Sequence, residues 1–404
     1  MTDRALSDIN VLDFTWVVAA PGASRMLADY GATVVRVETT KRVDTARTFG
    51  PFHGNTPGPE SSILFQSMNA GKLGVTIDMS TTEGRAIALD LVRWADVVME
   101  SFSPRVKRNW SFDYESLRAV KPDIIMLSSC LMGQTGPLSN FAGYGSLAAA
   151  LSGFYNVTGW PDRAPAGPYN AYTDTIVPRF VAILILAALD HKRRTGQGQY
   201  IDQSHMETAL HFLGPALLDY TANGRVGARI GNRDPQMAPH GVYPATGDDR
   251  WVAIACRNDD DWRSLCAAID RPELANDERY ATTVARIERQ DELDALIGAW
   301  THDHEPLEIE ALLQARGVPS SAVETSPDLF ADPQVNHRGH FVEVEHPVHG
   351  TILVEGSRFK LSRTPAQYER SGPTMGRDNQ YVLSELLGYS DERIAELVAA
   401  GALE

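Results

Sequence analysis

The chain has 404 residues, more than one ordinary core accommodates, so two domains are expected, or one large and one small. Its composition is that of a globular protein, 43% hydrophobic and 22% charged. The formal charge of −15 argues against nucleic acid or an anionic membrane as the main partner, and an anionic ligand would need a local basic patch.

Residues 10–14 (NVLDF) read as a buried strand and residues 22–29 as a helix stopped by Gly31. Residues 33–37 (TVVRV) form a second strand and 75–78 a third. Ser80-Thr81-Thr82-Glu83 then reads as a capping box for a helix over 83–94. Short apolar strands at 96–99 and 124–128 continue the alternation, which predicts an α/β fold with a parallel, doubly wound sheet. Residues 161–169 (PDRAPAGPY) are a loop, and a long helix is expected from 177 to 194, followed by a strand at 199–203. Its most apolar run, 180–189, is too short to span a bilayer and reads as a buried helix.

The character changes near 225 and again near 327. Residues 241–256 look like a hairpin turning at Gly247-Asp248-Asp249, with helices at 259–270, 289–302 and 306–316. This places a large domain at 1–224, a small α/β domain at 225–326, and a return to the large domain at 327–404. In the return, 341–345 and 350–355 pair through a turn at His346-Pro347-Val348-His349. Those two histidines read as a polar turn, not a metal site. Cys130, Cys256 and Cys266 show no ligand spacing and fit a reducing compartment. With no signal-peptide pattern in MTDRALSDIN, a cytoplasmic location is expected.

No nucleophile elbow, P-loop or zinc spacing occurs. What is specific is a series of motifs in order. They are VLDFTWVVAAP (11–21), LADYGA with VVRVE (27–38), NAGK before VTID (69–78), ADVVME (95–100) and GQTGP (133–137). Asp174 follows, then RRTGQGQYID (193–202), APHG (238–241) and LLG (386–388). Together these resemble the family III CoA-transferases, the formyl-CoA, carnitine and bile-acid CoA-transferase group, over nearly the whole chain. The resemblance implies a Rossmann-like large domain built from the N-terminal part and the C-terminal tail. It also implies an inserted small domain and two interlocked chains, as a homodimer or with a homologous subunit. An acyl-CoA and a carboxylic acid would be substrates, with no tightly bound cofactor.

Taken alone, Asp174 is a helix N-cap. The resemblance makes it the nucleophile that attacks the thioester, giving a mixed anhydride, an aspartyl-CoA thioester and then the reverse sequence with the acceptor. It also assigns CoA contacts to Trp16, Val17, Val18 and Ala19 near the thiol and to Asn69, Ala70, Gly71 and Lys72 near the nucleotide. Ser101, Phe102, Ser103, Arg108 and Tyr144 complete the set. Lys72 is expected to meet a phosphate, Phe102 to pack on adenine, and Trp16 to narrow the acyl pocket or stack on a ring. Thr39 stands where an arginine often contacts CoA, with Lys41 and Arg42 close enough to substitute. Gly145 replaces an acid found beside the nucleophile in formyl-CoA transferase-like members, which argues against formate or oxalate as the acid.

The stretches 172–180 (YTDTIVPRF), 187–193 and 232–243 look most like the succinyl-CoA:benzylsuccinate CoA-transferase type. Arg179 or His240 would then meet the acceptor's second carboxylate. Two competing readings remain: a non-catalytic partner subunit, and an α-methylacyl-CoA racemase. The second lacks a histidine anywhere in 127–144 to pair with Asp174.

Overall fold

The computed structural model describes residues 4–404. Six parallel strands form the main sheet: β1 (Asn10–Phe14), β2 (Thr33–Glu38), β3 (Leu73–Thr76), β4 (Val97–Glu100), β5 (Ile125–Cys130) and β6 (Tyr200–Ser204), in the order β3-β2-β1-β4-β5-β6. These strands read as unbroken apolar runs because both faces are covered. Leu12, Val35, Val98 and Met126 pack on one side with Ile87 and Leu91 of the helix Thr82–Trp94. Val11, Val34, Met99 and Leu127 pack on the other with the helices Ala19–Asp29 and Tyr172–Thr195. Thr81, not Ser80, caps the helix after β3, accepting from the Gly84 N–H.

The long helix starts five residues earlier than expected. Its Val177, Val181 and Ile185 are fully buried, while Ile183, Leu184 and Leu186 are exposed, so it is half a core helix rather than a buried one. By length and composition alone it could cross a membrane, yet half of its most apolar window is buried inside the protein.

The chain divides into two compact units. One runs to Tyr155, then covers Gly167–Gly227 and His337–Glu404; the other is Asn156–Ala166 with Ala228–Asn336. The expected boundaries thus move from 225 to 228 and from 327 to 337, and residues 156–166 change sides. That segment is held by long-range bonds: the Gly231 N–H donates to the Gly159 carbonyl at 2.8 Å and Arg229 Nε to the Trp160 carbonyl at 3.3 Å. The second unit has its own antiparallel sheet, β7 (His240–Pro244), β8 (Trp251–Ala255) and β9 (Ser320–Ala322), packed on Trp262, Leu265 and Leu293. In the first unit, His346 Nδ1 accepts the N–H groups of Val348 and His349, which fixes the turn between the paired strands Phe341–His346 and Gly350–Glu355. No cluster of three or more His, Cys, Asp or Glu placed for a metal occurs among the described residues.

Candidate active site

Strand order reverses between β1 and β4, so the segments leaving their carboxyl ends diverge and open a crevice, the place where doubly wound sheets hold ligands. The segment leaving β1 is strained. Val17 has φ 69, a left-handed conformation that a β-branched residue rarely adopts. Its N–H is held by both carboxylate oxygens of Asp44 at 3.2 Å, and Asp44 is ion-paired with the buried Arg36. Arg36 also donates to the Thr15 carbonyl at 2.9 Å, and the Trp16 N–H donates to Ser101 Oγ at 3.0 Å. Strain of this kind costs about 1–3 kcal/mol and persists only where the surroundings over-determine it.

Behind this turn lies a buried ion pair. Lys72 Nζ donates to Asp13 Oδ2 at 2.9 Å, to the Pro21 carbonyl at 2.9 Å and to Asn69 Oδ1 at 2.8 Å. Asp13 in turn accepts from the Thr15 N–H at 2.8 Å. An ammonium has three donors, and all three are used. Lys72 is therefore a fastener of the turn and not the phosphate contact expected. Asn69 and Ala70 are buried with it, and Gly71 makes a left-handed turn bonded to the Arg370 carbonyl.

Asp174 is the third residue of the long helix, whose N-cap is Ala171, so the bare capping reading fails. It is 4% exposed. The Gly145 N–H donates to its Oδ2 at 3.0 Å, and His205 Nδ1 lies 3.6 Å from its Oδ1. His205 Nε2 is 2.9 Å from Ser129 Oγ, whose hydroxyl is 2.6 Å from Gln203 Oε1. The Gln203 amide nitrogen donates to the Ser204 carbonyl and the Thr208 hydroxyl. Gln203 Oε1 can only accept, so the Ser129 proton points to it and His205 Nε2 must donate to Ser129. Serine, histidine and acid stand in line, but Ser129 is no activated nucleophile, because its proton is held by Gln203. Nor is Cys130: burial, and then Glu100, push its thiol up to about 12. The third member of the line, the Asp174 carboxylate, is buried and has one N–H donor, that of Gly145.

Asp174 and Val18 wall two cavities. The larger, about 470 Å³, contains Trp16, Val17, Ala19, Ser101, Ser103 and Tyr144 of the expected set, with Arg42 and His205 added. The smaller, about 120 Å³, runs past Met68, Pro178, Arg179 and Phe359. Phe102 faces neither; its ring packs against Phe14 and Trp110 at 6.4 and 5.1 Å, in the core instead of on a nucleotide. Arg108 borders a separate hollow with Tyr114 and Gln134. Of the two substitute cations, Lys41 is taken by Asp78 at 2.6 Å, while the Arg42 guanidinium lies 5.1 Å over the Trp16 ring at the larger cavity. His240 belongs to the other unit, where its Nδ1 lies 2.6 Å from the Asn232 carbonyl.

The family model for CoA-transferase family III matches residues 6–379. The chain belongs to that family. Succinyl-CoA–D-citramalate CoA-transferase of Chloroflexus aurantiacus is 34% identical over 398 residues, 98% of this chain and 97% of that one. Succinate–glutarate CoA-transferase of Agrobacterium fabrum is 36% identical over 385 residues, 94% and 95% of the two chains. The crystal structure of a CAIB/BAIF family protein from Brucella suis has a TM-score of 0.87 at 31% identity, covering 95% of this chain and 100% of the other. The protein is an enzyme of the CoA-transferase type.

The space around Gly145 is closed by Asp174 and Thr173. A Cβ at this position would lie 2.7 Å from both Asp174 Cγ and the Asp174 backbone nitrogen, and 2.8 Å from Thr173 Oγ1. No side chain fits without moving the carboxylate. Gly145→Ala is expected to lower the turnover number by about 10²-fold in a protein that still folds, the scale of a misplacement of roughly 1 Å. Steady-state transfer assays alongside circular dichroism check this.

The site also bears on the racemase reading. Two groups flanking one α-carbon must each reach their own side of it, which puts them roughly 6 Å apart. His205 and Asp174 sit side by side at 3.6 Å. His205, Ser129 and the Gly145 N–H were missed in the sequence. A signal for His205 existed: it directly follows β6, at the carboxyl edge where such sheets hold ligands.

Proposed function

We propose that this enzyme moves CoA from an acyl-CoA donor, with succinyl-CoA the candidate, to an aryl- or alkyl-succinate, with Asp174 as the nucleophile. The observation that carries the mechanism is Asp174 itself: a buried carboxylate at the common wall of two cavities, with one N–H donor on one oxygen and the His205 ring 3.6 Å from the other.

In the first step an Asp174 oxygen attacks the thioester carbonyl; the C–S bond breaks and CoA leaves as thiolate, giving a mixed anhydride. The thiolate attacks the aspartyl carbonyl, and the donor acid departs as its carboxylate. The acceptor carboxylate then attacks the aspartyl thioester and expels the thiolate, which finally attacks the acceptor's acyl carbon and frees Asp174. No proton moves in any step. The residues therefore need only to bind, orient, stabilise oxyanions and exclude water. The Gly145 N–H is the donor aimed at the Asp174 oxygen that becomes an oxyanion when the thiolate attacks the aspartyl carbonyl.

The names of the two relatives support a succinyl-type donor, since both pair succinyl-CoA or succinate with a second dicarboxylic acid. The narrower acceptor class rests on the sequence around 172–180 and on Gly145. An obligate dimer fits the exposed apolar face of the long helix and the exposed Leu217, Leu218 and Tyr220 beyond it.

Incubating the protein with a panel of acyl-CoAs and analysing it by mass spectrometry tests the reading. The expected result is CoA joined to the peptide containing Asp174, most abundantly with succinyl-CoA. Adduct on another residue, or none with any donor that supports transfer, would overturn it.

A further inference from the structure

We infer that the smaller cavity beside Asp174 is a dicarboxylate subsite, in which Arg179 and Arg358 hold the carboxylate that does not react. The inference rests on the proposed role of Asp174 and adds what recognises the acid.

Arg179 follows Asp174 by five residues on the same helix, roughly 7.5 Å along its axis, and both line this cavity. The other cavity, which shares only Val18 and Asp174 with this one, contains neither arginine. Arg179 donates to the Thr175 carbonyl one turn back. It feels the Glu355 carboxylate, but that acid is bonded to Arg358 and lies 3.5 Å from His340. Arg179 itself makes no ion pair within 4 Å among the described residues. Burial, and then the neighbouring Arg358, hold its guanidinium below its ordinary value. Two like charges brought together at a partly buried wall are relieved by an anion placed between them.

The remaining charged groups of this wall are Arg25, Asp29 and Asp174. Arg25, on the same wall, donates to the carbonyls of Ser67 and Glu355; its buried Nε has no hydrogen-bond acceptor among the described residues and lies 3.7 Å from Asp29. Burial pushes the Asp29 carboxyl up to about 6 in spite of Arg25. Three guanidiniums and three carboxylates line the cavity, and the balance turns positive when Asp174 is acylated on the proposed cycle. A planar guanidinium recognises a carboxylate through paired N–H donors, which an ammonium cannot match. Between the two ends the wall is Met26, Met68, Pro178 and Phe359. It suits a short hydrocarbon link, and the methionines adapt to a substituent on it.

The experiment compares acceptors matched in chain length: glutarate with pentanoate, and adipate with hexanoate. Each is assayed with wild type, Arg179→Gln and Arg358→Gln, using the acyl-CoA that labels Asp174 most fully. Wild type is expected to favour the dicarboxylate in kcat/KM. Each substitution is expected to lower the dicarboxylate-to-monocarboxylate ratio at least about tenfold, mainly through KM, as loss of a charge-assisted contact does. Arg358 is exposed, so its variant stands as the readout if Arg179→Gln folds poorly. A ratio unchanged in the folded variants, or a wild type without the preference, overturns the inference while leaving the Asp174 chemistry in place. Absence of the Asp174 adduct in wild type removes the chemistry itself, and the two failures are thus separate.

Discussion

Asp174→Asn is expected to lower CoA transfer by ~10⁴-fold or more with the fold intact, as removal of a covalent nucleophile does. Asparagine keeps the shape, and its carbonyl can still accept the Gly145 N–H. What it loses is the oxygen anion that attacks the thioester. Stability is expected to change by no more than about 1 kcal/mol, because His205 stands beyond hydrogen-bond range and Asp174 closes no other ion pair among the described residues. Because asparagine can deamidate back to aspartate, Asp174→Ala serves as the control. Transfer rates, adduct mass and urea unfolding check the three parts together. Residual activity above about 1% in the alanine variant would take Asp174 out of the chemistry.

Lys72→Met is expected to destabilise the fold by about 3–5 kcal/mol, the scale on which removing one partner leaves a buried charge alone. Asp13 would keep its bonds to Thr15 and Ser24 but face a fully buried site without its cation. The partner substitution Asp13→Asn in the same chain should restore a large part of the loss, since no unpaired charge then remains. A phosphate contact makes the opposite forecast: unchanged unfolding and a raised KM for the acyl-CoA. Urea melts of the single and double variants, set beside acyl-CoA kinetics, separate the two roles.

The sheet was legible because its strands are apolar on both faces, so each appears as a short uninterrupted run between turn signals. Helix starts were less legible. Tyr172–Thr195 begins in a polar stretch whose helicity comes from packing on the sheet and on the helix Ala19–Asp29, which pulled Asp174 inside the helix. Lys72 was misread for a similar reason: its partner Asp13 is 59 residues away, and nothing local distinguishes a buried lysine from one at a phosphate. Phe102 lies in a segment that does reach the cavity, but its ring turns back onto Phe14. The small unit's claim on residues 156–166 depends on bonds to 229 and 231, again invisible locally. Motifs found Asp174 and set Gly145 beside it; only the folded chain could bring His205 and Arg358 to the same cavities.

The two cavities meeting at Asp174 have a consequence for traffic through the enzyme. On the proposed cycle the acids come and go through the smaller cavity while CoA stays anchored in the larger, either as a thioester or as a trapped thiolate. The carrier is never handed back to solution between donor and acceptor. The enzyme's throughput would then be set by the ratio of the two acids and their thioesters and decoupled from the pool of unacylated CoA, so that it could equilibrate two metabolite pools without drawing on a third.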